Sequence, residues 1–156
     1  MQLLTLFSRL CTTTLLPTVL MTVFLTAHAE TAKPVQIQQA WARATAPGQS
    51  VGAAYMTLTH HENITLIAAD SDAAGTVEIH SMEMKNGVMK MRMLEDLPLK
   101  AGKPVKLGPG GLHLMLFDLQ KPLKVGEKIE LTLCFKNQRG EVTHQTVTLL
   151  IKEAAQ

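Results

Sequence analysis

From Val35 onward this chain never sustains the apolar spacing of a helix; brief apolar runs alternate with Gly, Pro, Asn and Asp. Short runs cut by turn residues restrict such a chain to strands, and many short strands cover their faces by closing into a sandwich or barrel. The expected strands are Val35 to Arg43, Val51 to Thr59, Asn63 to Ala69, Thr76 to Met84, Val88 to Leu94, Pro104 to Leu107, Leu112 to Asp118, Lys128 to Lys136 and Glu141 to Ile151. Turns are expected at Pro47-Gly48, Asp72 to Gly75, Pro109-Gly110-Gly111 and Arg139-Gly140, where Gly and Asp relieve the backbone of Cβ clashes or bond it locally. Glu130 to Lys136 partly alternates and suits a half-exposed strand, whereas Thr146 to Ile151 ends in a nearly continuous apolar run and suits a buried one.

A length of 156 residues fits one domain, and 46% hydrophobic against 18% charged residues argues for a packed core. The net charge of +2 is spread along the chain, so no basic stripe is available to follow a nucleic-acid backbone, and nucleic acid is excluded as a partner. The first segment has the form of an export signal: Arg9 is its only charged residue, Leu10 to Leu25 is largely apolar, and Ala27 and Ala29 are small. Residues 1–29 are therefore expected to be a signal peptide, leaving a single secreted domain of residues 30–156. Thr12 to Thr14 and Pro17 interrupt the apolar stretch, which is short for a span, so no stable membrane insertion is expected once it is removed. Ser8-Arg9-Leu10 before Cys11 lacks the small residue that lipid attachment requires. Removal of the signal leaves Cys134 as the sole cysteine, and no intramolecular disulfide can form.

Chemistry concentrates between His80 and Met93. Asn86-Gly87 is the strongest short hairpin signal, and a two-residue turn there pairs Lys85 with Val88, Met84 with Met89, Met82 with Met91 and His80 with Met93. Five thioethers and an imidazole then share one face, with Glu83 opposite Lys90 and Ser81 opposite Arg92 on the other. Methionine also fills irregular cores, so any one of these residues alone indicates packing as readily as chemistry. A second segment changes the balance: His113 and Met115, two apart on an expected strand, also share a face. Soft, neutral thioether and imidazole donors suit Cu(I), while zinc favours thiolate, imidazole and carboxylate, and calcium or magnesium needs clustered oxygens. Copper is the expected ligand.

These residues resemble the PCu(A)C family of periplasmic copper chaperones, whose signature is a His, ten residues, a Met, twenty-one residues and His-x-Met. His80, Met91, His113 and Met115 meet that spacing without a gap. Ala40 to Thr45, Ala53 to Met56, Gly87 to Arg92 and Pro109 to His113 also look like the family, so the resemblance spans nearly the whole chain after the signal. It implies an all-β, cupredoxin-like Greek-key β-sandwich and Cu(I) held by His80, Met91, His113 and Met115. It also implies delivery to an apo acceptor such as cytochrome c oxidase subunit II, whose dinuclear copper centre the family is implicated in supplying. The chain ends in Ile151 to Gln156 without the Met- and His-rich tail of some members.

The remaining candidates carry weaker signals. His60-His61 is expected to be a solvated turn, His144 an exposed strand position and Cys134 a buried, inert thiol. Trp41 and Tyr55 are expected in the core. Met82, Met84, Met89 and Met93 are expected mainly to shield the ion. No acid, base or redox partner stands beside the ligands, so an enzyme is not expected; the competing function is a secreted β-sandwich scaffold, or a copper-tolerance or storage protein without delivery.

Overall fold

The computed structural model describes residues 33–153. The expected signal peptide, with Cys11, lies outside them, as do residues 154–156. Within this range the regular structure is entirely β: β1 (Gln36–Arg43), β2 (Gly52–Thr59), β3 (Ile64–Asp70), β4 (Thr76–Lys85), β5 (Val88–Leu94), β6 (Leu97–Leu99), β7 (Val105–Leu107), β8 (His113–Phe117), β9 (Lys128–Asn137) and β10 (Val142–Lys152). Nine of the ten correspond to the expected strands. The tenth, β6, was hidden by its shortness and by Pro98 at its centre. It runs along the outer side of β3 with Pro98 opposite Thr65, at the end of the sheet path, where a missing N–H costs no ladder bond.

The strands hydrogen-bond in the order β5-β4-β8-β2-β1-β10-β9-β3-β6, with β7 on β2, and Ala69 of β3 pairs with Val77 of β4. That last pairing joins the two ends of β4-β8-β2-β1-β10-β9-β3, so the sandwich is closed at both edges as a flattened barrel. Alternate residues of each strand fill it, with Ala42, Ala54, Leu58, Leu66, Leu114, Leu116, Leu131, Leu133 and Leu149 fully buried. Each leucine so buried contributes about 1.5–3 kcal/mol, and with no disulfide among the described residues this burial holds the fold.

A bulge in β1 decides what the outside of the barrel carries. Gln36, Ile37 and Gln38 pair with Thr59, Leu58 and Thr57, but Trp41 pairs with Tyr55, which places one extra residue in β1. Gln39, within the bulge, has φ of 52°, the left-handed conformation that accommodates such an insertion. Without it Trp41 would stand opposite Ala54 and point inward. With it Ala42 takes the inward position, and Trp41 joins Tyr55 on the outer face.

Three other expectations are corrected on the same principle of alternation. The end of β10 is not buried on both sides: Leu149 and Ile151 face the core, while Leu150 is 38% exposed beside Trp41. Cys134 is half-buried, because Leu133 and Phe135 take the inward positions, and it stands opposite exposed His144. His60 is not solvated. It is buried, its Nε2–H donates to the Lys33 carbonyl at 3.0 Å, and its Nδ1 accepts from the Glu62 amide at 3.2 Å. It ties Lys33, just before β1, to the β2–β3 turn, and of the two histidines only His61 is exposed.

Candidate metal centre

The hairpin has the expected register along its full length, including Met84 with Met89, Met82 with Met91 and His80 with Met93. Asn86 and Gly87 have φ of 52° and 76°, the pair of left-handed residues that matches the twist of two tightly connected strands. On the polar face Arg92 lies 3.9 Å from Glu83 and donates from Nε to Ser81 Oγ at 3.2 Å, so the charge contact runs diagonally rather than from Glu83 to Lys90.

β8 lies on the other side of β4, and there the chain's two separated segments meet. His80 pairs directly with His113, Glu78 with Met115, and the Met82 amide donates to the Gly111 carbonyl at 3.1 Å. Because β8 alternates, Leu114 and Leu116 enter the core while His113 and Met115 lie on the outer face with His80 and Met82. The imidazole centroids of His80 and His113 are 5.9 Å apart. A metal sits about 2.0–2.1 Å from an imidazole nitrogen, so rings at this separation can share one ion.

Each ring is held by one nitrogen. His80 Nε2–H donates to Glu78 Oε2 at 2.7 Å, and His113 Nδ1–H donates to the Gly111 carbonyl at 2.9 Å. Both acceptors lack a proton to give, so the neutral tautomers leave lone pairs on His80 Nδ1 and His113 Nε2. His80 Nδ1 is buried and has no hydrogen-bond partner among the described residues. A ligating imidazole anchored through its second nitrogen is the usual arrangement at metal sites.

A cleft of about 480 Å³ opens on this face, walled by Tyr55, Met82, Met91, His113 and Met115, with Arg43 at its side. Three of the four residues singled out by spacing line it directly. His80 does not; it sits against His113 and Phe117, 9% exposed. Among the described residues no three His, Cys, Asp or Glu side chains cluster as a metal site.

Several residues take roles the sequence did not announce. Tyr55 is buried as expected, at 6% exposure, but on the outer face, and Trp41 beside it is only half-buried; their rings are 4.6 Å apart, and Tyr55 continues to His113 at 6.5 Å. The bulge that turned Trp41 outward has no sequence signature. Glu78 was overlooked as well, although period two from His80 could have nominated it. Met84, Met89 and Met93 are 66%, 59% and 56% exposed, too far into solvent to wall the cleft as a shield; Met82 alone of the extra methionines lines it.

A family model described as "Putative lipoprotein LpqE-like" matches residues 35–148. The protein "Putative lipoprotein Lxx21020" of Leifsonia xyli subsp. xyli is 33% identical over 120 residues, covering 74% of this chain and 72% of that protein. Among solved structures, the copper-bound PCuAC domain from PmoF2 superposes with a TM-score of 0.63 over 80% of this chain and 97% of that one, at 22% identity. The Cu(I) form of DR1885 from Deinococcus radiodurans superposes with a TM-score of 0.59 over 81% and 83% of the two chains, at 34% identity. The β-sandwich is therefore cupredoxin-like, as expected, and the chain belongs to the LpqE-like family.

Proposed function

We propose that this chain is an exported copper chaperone. Its leader over residues 1–29 is removed, and the domain of residues 30–156 carries Cu(I) in the periplasm on His80, Met91, His113 and Met115. The ion passes by ligand exchange to an apo acceptor, with the dinuclear copper centre of cytochrome c oxidase subunit II as the candidate. The role is binding and delivery without turnover.

The observation that carries this reading is the pair of neighbouring imidazoles, His80 and His113, each anchored through one nitrogen beside a cleft walled by methionine. Every proposed donor is neutral, which suits a soft monovalent ion, and the nearby negative charge is the Glu78 carboxylate behind His80. Met91 is 47% exposed, so an incoming ligand can reach the ion through the bond most open to solvent. The 34% identity to a protein solved with Cu(I) adds support.

Anaerobic Cu(I) titration in competition with a chromogenic chelator, on the wild-type chain and the His113→Ala and Met91→Leu variants, tests the site. One tight equivalent is expected, weakened in both variants; unchanged affinity in both overturns the assignment. Transfer to apo subunit II then tests delivery, and tight binding without transfer would indicate a copper-tolerance or storage role.

A further inference from the structure

Among the described residues, Met84, Val88, Met89, Met91 and Met93 of the hairpin make up most of the exposed large apolar side chains. Residues Val88 to Met93 are all exposed, and β5 is the terminal strand of the sheet path. Methionine in such a place gains little burial energy, and apolar side chains on an open edge invite unwanted pairing. Met56, by contrast, is the methionine that fills the core, at 1% exposure. Packing does not account for thioethers at the hairpin tip.

Their placement is regular. Met84 stands opposite Met89, Met82 opposite Met91, and the next rung toward the barrel is His80 with Met93, flanked by His113. Directly opposed residues have Cβ atoms about 4.5–5.5 Å apart, and the unbranched methionine side chain adjusts its sulfur freely from there. Along β4 exposure falls from 66% at Met84 to 9% at His80, with His113 beside it at 4%, whereas on β5 Met89, Met91 and Met93 stay open to solvent at 59%, 47% and 56%. Lys85 and Lys90 belong to the opposite face of the hairpin by alternation, so their charges do not confront a cation bound among the sulfurs.

We infer that Met84 and Met89 form a second, weaker site for a soft monovalent cation, and that this site is the entry rung from which the ion reaches the deeper ligands. The inference rests on the copper reading above. Two neutral sulfurs in water bind such an ion loosely; each inward step exchanges one metal–sulfur bond for another, or for a metal–nitrogen bond, with no electron or proton transferred. The ion keeps its single positive charge throughout.

The test uses the full chain carrying carbon-13 in its methionine methyl groups, titrated with Ag(I) as a redox-inert soft probe. The first equivalent is expected to move the Met91 and Met115 methyl resonances, and further Ag(I) to move those of Met84 and Met89 with at least tenfold weaker affinity. In Met84→Leu/Met89→Leu the weaker phase should vanish, the tight equivalent should persist, and uptake of that equivalent should slow several-fold. Resonances of Met84 and Met89 that stay still through excess Ag(I) overturn the site, and an unchanged uptake rate overturns the entry role. If His113→Ala leaves the tight phase intact, the four-ligand reading fails instead, while the Met84 and Met89 shifts still decide this one.

Discussion

His80 donates its Nε2 proton to the Glu78 carboxylate at 2.7 Å, from two residues further along the same strand and on the same face. Glu78 itself stands opposite Met115, so the group that orients one proposed ligand neighbours another. Removing such an anchor typically costs a metal site roughly 10–100-fold in affinity. Glu78→Ala is expected to weaken Cu(I) binding to about that extent in chelator competition, with Glu78→Gln recovering part of it through its amide oxygen. Equal affinity for wild type and Glu78→Ala would show that the contact does not position His80.

Leu114 lies between two proposed ligands but points the other way, fully buried in the core. Leu114→Ala should therefore lower unfolding free energy by about 2–5 kcal/mol, read from urea denaturation. Met91→Leu, at an exposed position, should shift the unfolding midpoint little while weakening copper binding. A reversal of these two patterns would mean that the strand faces have been misassigned.

Gly87 adopts φ of 76° at the hairpin turn. A β-branched side chain in that conformation costs on the order of 1–2 kcal/mol, and the cost falls on an edge hairpin that contributes few residues to the core. Gly87→Val should loosen the pairing of Met82 with Met91, seen as faster amide exchange in β4 and β5, and reduce copper affinity. Asn86→Gly should leave both unchanged. Slow exchange retained in Gly87→Val would count against a register set by this turn.

Trp41 is the single tryptophan of the chain, and its ring connects through Tyr55 to His113 at centroid distances of 4.6 Å and 6.5 Å. Metal binding at His113 is expected to change tryptophan emission, with the change complete at one equivalent and absent in His113→Ala. Flat emission across a titration that chelator competition shows to be tight would place the ion elsewhere.

The sequence by itself determined the features that short-range physics controls. Asn86-Gly87 imposes a two-residue turn, and from that turn every rung back to His80 and Met93 follows by counting. Period two likewise put His113 and Met115 on one face, and turn residues marked nine of the ten strands. Only the tertiary structure decided that β8 lies against β4 with His113 directly opposite His80, thirty-three residues away. It also decided that the bulge at Gln39 turns Trp41 out toward Tyr55, that Leu150 and Cys134 stand outside the core, and that His60 is buried on the Lys33 carbonyl. Local patterns record which residues share a face. Which strands become neighbours, and which face turns inward, depends on how the whole set of strands closes around one core.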